Sequence, residues 1–87
     1  MATIFLRHPV ADYDAWRPLF DDDTARRDTA GLTVVGVFRD ASDPNSVLVV
    51  FDTDDVSGFE AMLADEELKA VMEEAGVLGP PEVWIAG

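Results

Sequence analysis

No cysteine occurs among the 87 residues, which excludes disulfides, thiolate nucleophiles and cysteine metal sites and makes a reducing compartment the simpler setting. No apolar run approaches the roughly 20 residues that cross a bilayer. The first residues, Met1 to His8, also lack a basic segment followed by a long apolar core, so a cytoplasmic protein without a membrane partner is expected. Basic residues are scarce. Six Lys and Arg against 18 Asp and Glu give a formal charge of −12, which repels phosphate backbones and anionic lipid alike and argues against nucleic acid as a partner. Glycine-rich phosphate loops and a dinucleotide fingerprint are absent. Histidine occurs once, so a Ser-His-acid triad would have to use His8 with Ser42, Ser46 or Ser57, all of which read as turn or cap serines. Asp21, Asp22 and Asp23 are consecutive and fan around a helix instead of converging, so no metal site is expected.

What is present is apolar: 48% of the residues are hydrophobic, enough for one folded domain spanning 1–87, though so small that burying further area by dimerisation would help it. The centre of the chain is a pair of β-rich runs, Leu32–Arg39 and Val47–Asp52, separated by a polar connection dense in turn formers, which reads as an antiparallel hairpin. Strict alternation puts Leu32, Val34, Gly36 and Phe38 on one face and Thr33, Val35, Val37 and Arg39 on the other. Both faces carry apolar side chains, so the sheet needs two covers. The remaining sequence supplies helices for one, and a second copy of the chain is the expected cover for the other, in a homodimer. The connection starts at Arg39 or at Asp40, and a one-residue slip would exchange the faces.

Around the hairpin, Ala2–His8 reads as a strand with Ile4, Leu6 and His8 on one face, ended by Pro9. Asp12 caps a helix with a Trp16, Leu19, Phe20 stripe that runs to Gly31, with a kink or broken turn expected at Pro18. After the hairpin, Ser57 to Glu60 has capping-box spacing ahead of Phe59, Met62 and Leu63. Asp65 caps a helix over Glu66–Ala75 that Gly76 stops, and Glu82–Ala86 is a last strand. The order predicts an α+β fold, a ferredoxin-like βαββαβ sandwich with a four-stranded antiparallel sheet in the order 4-1-3-2 and helices on one face. That topology gathers Arg7, His8, Arg39 and Trp84 at one end of the sheet, beside Tyr13 and Trp16 at the start of the first helix.

The stretch Val10-Ala-Asp-Tyr-Asp-Ala-Trp-Arg-Pro, then Phe38-Arg-Asp with Asp43-Pro-Asn, then Asp65-Glu-Glu-Leu-Lys-Ala-Val-Met and Ala75-Gly-Val-Leu-Gly-Pro-Pro-Glu, resembles the small dimeric α/β-barrel proteins grouped with antibiotic-biosynthesis monooxygenases and cyclases. The resemblance covers nearly the whole chain. It implies a dimer and a cofactor-independent enzyme, a cyclase or a monooxygenase, acting on a hydrophobic aromatic or polyketide-like small molecule. The alternative is a homodimer that binds such a molecule without turnover or has a structural role.

Within the resemblance, His8 and Arg39 are the candidate catalytic residues, and Arg7, Tyr13, Trp16 and Trp84 the candidate substrate-binding ones. Each has a plainer reading. A lone histidine at a strand end is commonly satisfied by a nearby carbonyl or acid, the arginines have Asp40, Asp43 and Glu82 to pair with, and aromatic or Met62 and Met72 side chains at helical spacing usually build core. Only an enclosed cavity beside His8 turns them into a site. No cofactor or metal is called for by these residues.

Overall fold

A computed structural model describes residues 1–87. The elements are β1 (Ala2–Pro9), α1 (Tyr13–Asp22), α2 (Thr24–Thr29), β2 (Leu32–Arg39), β3 (Ser46–Thr53), α3 (Val56–Ala64), α4 (Glu66–Glu74) and β4 (Glu82–Ala86). The antiparallel sheet runs β2-β3-β1-β4, the order read from the sequence viewed from its other edge. This is the expected ferredoxin-like α+β fold. No helix is long and apolar enough to cross a membrane.

β1 and β3 form the centre of the sheet because their alternate residues bury completely. Ile4, Val47 and Val49 have no exposed surface, and Leu6, His8, Phe51 and Thr53 lie with them on the helix-covered face. Each such aliphatic side chain taken out of water contributes about 1.5–3 kcal/mol. Phe59 of α3 and Trp16 of α1 close this core from above.

The helices depart from the sequence reading at two points. α1 continues through Pro18, and the interruption falls instead at Asp23, whose N–H turns back to the Phe20 carbonyl. Three successive aspartates are poor helix interior and favour caps, so the chain breaks there and restarts as α2. The N-cap of α3 is Asp55, which accepts from the Ser57 N–H, so Ser57 lies inside the first turn and the capping-box assignment is displaced by two residues. The other caps are as expected. Asp12 and Asp65 accept from the Asp14 and Glu67 amides, and Gly76 (φ 86°) takes the left-handed position after α4.

The hairpin connection starts at Asp40, whose N–H closes onto the Ser46 carbonyl. β2 carries a bulge at Val35, between Val34 and Gly36. The extra residue exchanges the faces halfway along the strand. Leu32 pairs with Thr53 and Val34 with Phe51 on the helix side, but beyond the bulge Val37 and Arg39 rejoin that side, opposite Val49 and Val47, while Gly36 and Phe38 turn to the open face. The expected grouping of Phe38 with Leu32 is thereby corrected. Gly36 is explained by the same event: a Cβ there would lie 2.8 Å from the Phe38 ring, which folds back over it.

The open face then reads across the four strands as Gly36, Val50, Phe5 and Trp84, bordered by Phe38, Leu48, Arg7 and Glu82 on one side and by Thr33, Asp52, Thr3 and Ala86 on the other. Phe38 and Trp84 are about half exposed, so the apolar band is not covered within one chain.

Candidate functional site

Strand β1 and helix α1 bring His8 and Trp16 together under the helices. His8 alternates inward with Ile4 and Leu6 and is 3% exposed. Its ring meets Trp16 edge-on at 5.5 Å, and its Nδ1 atom has no hydrogen-bond partner. Burial pushes its pKa below the ordinary 6.5, against smaller upward contributions from the nearby His8 and Pro9 backbone, so the imidazole is neutral near pH 7. Trp16 stacks on Phe20 at 4.8 Å and lies 5.9 Å from the Tyr13 ring, forming an aromatic wall along the underside of α1.

The start of α1 is pinned by the hairpin connection. The Tyr13 amide donates to Asn45 Oδ1 (3.1 Å), and the Val10 amide donates to the Asn45 carbonyl. Arg39 stacks its guanidinium 4.0 Å over the Tyr13 ring and donates from Nε to the Pro44 carbonyl. Arg17 donates to the Tyr13 hydroxyl (3.1 Å) and pairs with Asp21. Both arginines hold Tyr13, and through it the entry into α1.

Between this wall, the sheet and helices α3 and α4 lies a cavity of about 70 Å³. His8, Trp16 and Phe20 line it from one side, Met62, Leu68 and Met72 from the other, and of 14 lining residues 11 are hydrophobic. The cavity shares Leu19, Asp23 and Val71 with a cleft between α1 and α4. The volume holds about two water molecules, well below the roughly 300–1,000 Å³ of a pocket for a drug-sized ligand. A ligand therefore requires the cavity to widen. Its far wall is suited to that: α4 buries only Leu68 among its nine residues, and the two methionines are unbranched and adaptable.

The six sequence candidates divide. His8 and Trp16 line the cavity, while Tyr13 packs against Trp16 at its edge. Arg39 shares the helix-covered face with His8 but is not among the lining residues. Arg7 and Trp84 are on the opposite face of the sheet, opposite Leu48 and Phe5 respectively, and the expected gathering of all six at one place does not occur. The reason is the alternation of β1 itself: Arg7 and His8 are neighbours in sequence and so point to opposite faces. Arg7 donates to Ser46 Oγ and approaches Asp40 at 3.9 Å.

One residue of the cavity escaped the sequence reading. Arg27 is 6% exposed, lies with its guanidinium 3.9 Å from the Phe20 ring and has an unpartnered Nε. The signal was available, because residues 16, 20, 23 and 27 fall on one helical stripe, and a charge at the end of an otherwise inward stripe is unusual.

No family model and no curated protein matches the sequence. Solved structures do match the fold. One described as an antibiotic biosynthesis monooxygenase is 15% identical, with a TM-score of 0.67 over 100% of this chain and 97% of its own. SnoaB, a cofactor-independent oxygenase from Streptomyces nogalater, is 18% identical, with a TM-score of 0.68 over 99% of this chain and 90% of its own. An uncharacterised NIPSNAP domain protein from Burkholderia xenovorans is 17% identical, with a TM-score of 0.68 over 100% and 93%. The chain thus has the ferredoxin-like fold of the antibiotic biosynthesis monooxygenase proteins.

Proposed function

We propose that the protein is a homodimeric, cofactor-independent enzyme of the monooxygenase or cyclase type, acting on a hydrophobic aromatic or polyketide-like molecule in the cavity beneath α1 and α4. The observation that carries this reading is a neutral imidazole, its buried Nδ1 without a hydrogen-bond partner, on a residue that lines an apolar cavity. Such a group serves as a general base toward an acidic C–H or O–H of an aromatic ketone or phenol. The proton passes to His8 and the electron pair remains on the substrate as an enolate or phenolate. In a cyclase that enolate carbon attacks a carbonyl carbon of the same molecule, forming the ring bond as the carbonyl π bond opens to an alkoxide, which takes the proton back from His8. In an oxygenase a CH₂ becomes a C=O, dioxygen supplying that oxygen and its second atom leaving as water with the two hydrogens. Trp16 and Phe20 supply the flat wall on which such a substrate stacks. Arg39 and Tyr13 position α1, and Arg7 and Trp84 belong to the surface against which the second copy packs.

The fold shared with SnoaB supports the oxygenase form of the reading. The first step is common to both forms and is measured directly as exchange of the α-hydrogens of 1-tetralone in D₂O by NMR. Wild-type protein is expected to accelerate exchange and His8→Gln to abolish the acceleration. Exchange no faster than in buffer at saturating 1-tetralone would leave a binding protein in place of an enzyme.

A further inference from the structure

We propose that Arg27 makes this cavity a site for a planar aromatic monocarboxylate, whose acid group pairs with the guanidinium while its rings lie along the Trp16 and Phe20 wall. The proposal deepens the reading above and rests on the same cavity. A guanidinium presents five N–H donors in a rigid fork. Arg27 uses one in the structure, from Nη2 to Thr24 Oγ1 at 3.2 Å, and the Phe20 ring covers one of its faces. No ion pair reaches it. The neighbouring Arg26, partly exposed, is by contrast paired with Asp23 at 3.3 Å, Asp65 at 3.0 Å and Glu67 at 3.5 Å. Asp23, the one carboxylate lining the cavity, hydrogen-bonds Arg26 and acts on Arg27 only through its charge, without pairing with it.

Asp23, Asp21 and Asp28 favour the charged form of Arg27 from a distance, but none pairs with it, so the buried guanidinium has lost water without gaining a hydrogen-bonded counter-charge. Arginine stays protonated under these conditions, although burial lowers its pKa. A bidentate carboxylate is the complement that satisfies the free Nε together with a neighbouring donor. The remaining lining fixes the rest of the ligand. It is apolar apart from His8, and His8 contacts Trp16 while Arg27 contacts Phe20. A ligand anchored at Arg27 and stacked along both rings thus presents its far end to the imidazole. A single cation favours one negative charge over the two of a dianionic phosphate.

The test compares 2-naphthoate with 2-naphthamide, a neutral molecule of nearly the same shape, by isothermal titration calorimetry on wild type, Arg27→Met and Arg27→Lys. Met keeps the stem that packs on Phe20 and removes the charge, and thermal melting checks that each variant is folded. Wild type is expected to bind naphthoate at least 10-fold more tightly than the amide. Arg27→Met should lose that preference while holding naphthamide within about 3-fold, and Arg27→Lys should recover part of it. Equal binding of acid and amide by wild type, or a preference that survives in Arg27→Met, would overturn the carboxylate assignment and leave the cavity as an apolar site. Binding of neither compound at 1 mM would overturn both.

Discussion

His8 is the residue on which the proposed chemistry turns, and its burial carries a stability signature. The unfolded chain takes up a proton near pH 6.5, whereas the buried imidazole resists doing so to a lower pH. Between those two values the unfolded state binds more protons, so acid destabilises the native state there and the stability attached to the neutral ring is fully present only above about pH 6.5. Subtracting the melting curves of His8→Gln from those of wild type removes the carboxylate contribution that both share. The difference is expected to shrink as pH falls from 7 through His8's folded pKa. A difference independent of pH between 7 and 5 would mean that the ring is hydrated and titrates normally. Phe59, 1% exposed and outside the cavity lining, provides the structural control. Its replacement by Ala should cost about 3–5 kcal/mol by chemical denaturation. Phe20, which reads from sequence as plain core, cannot serve in that role because it lines the cavity and supports Arg27.

At the scale of elements, the wall that must yield is α4, and the Arg26 network fastens it. Arg26 on α2 reaches Asp65 and Glu67 at the start of α4 as well as Asp23, which lines the cavity. Arg26→Ala is expected to raise the association rate of 2-naphthamide in stopped-flow fluorescence with only a small change in melting temperature. An unchanged rate would place the opening elsewhere. The strands, their order and most helix caps were legible in the sequence because alternation and cap chemistry are local. The bulge at Val35 was not. Two-residue periodicity assumes an unbroken ladder, and nothing in the Val34-Val35-Gly36 stretch besides the glycine marks where the ladder slips. From that slip follow the transfer of Phe38 to the open face and the placement of Arg39 against Tyr13. The cavity was legible only in part: His8 and Trp16 were found as strand and helix positions, but Arg27 belongs to a stripe that crosses the break at Asp23. A helix expected to kink at Pro18 obscured that continuity.

For the whole molecule, the half-exposed Phe38 and Trp84 of the open face and the charge of −12 act against each other. Apposing two open faces would bury on the order of 1,600 Å² and supply the second cover that the sheet lacks. Bringing two chains of −12 together opposes it, with a range set by a Debye length of about 8 Å at physiological ionic strength. Dimer affinity by analytical ultracentrifugation is therefore expected to rise from low to moderate salt. A folded monomer at micromolar concentration in 0.15 M salt would contradict the dimer, and an affinity that falls with salt would put ion pairs, not the apolar band, at the interface.

On the proposed function a ligand enters beneath the helices and meets His8, and the composition of the chain makes that contact directly observable. The chain has one histidine and two tryptophans, and the tryptophans lie on opposite faces of the sheet, Trp16 on the cavity and Trp84 across from Phe5. Titrating 2-naphthoate into ¹⁵N-labelled protein should shift the His8 ring nitrogens and the Trp16 indole together, along one saturation curve, while Trp84 stays in place. Movement of Trp84 with His8 and Trp16 unchanged would put the ligand on the open face and contradict the account.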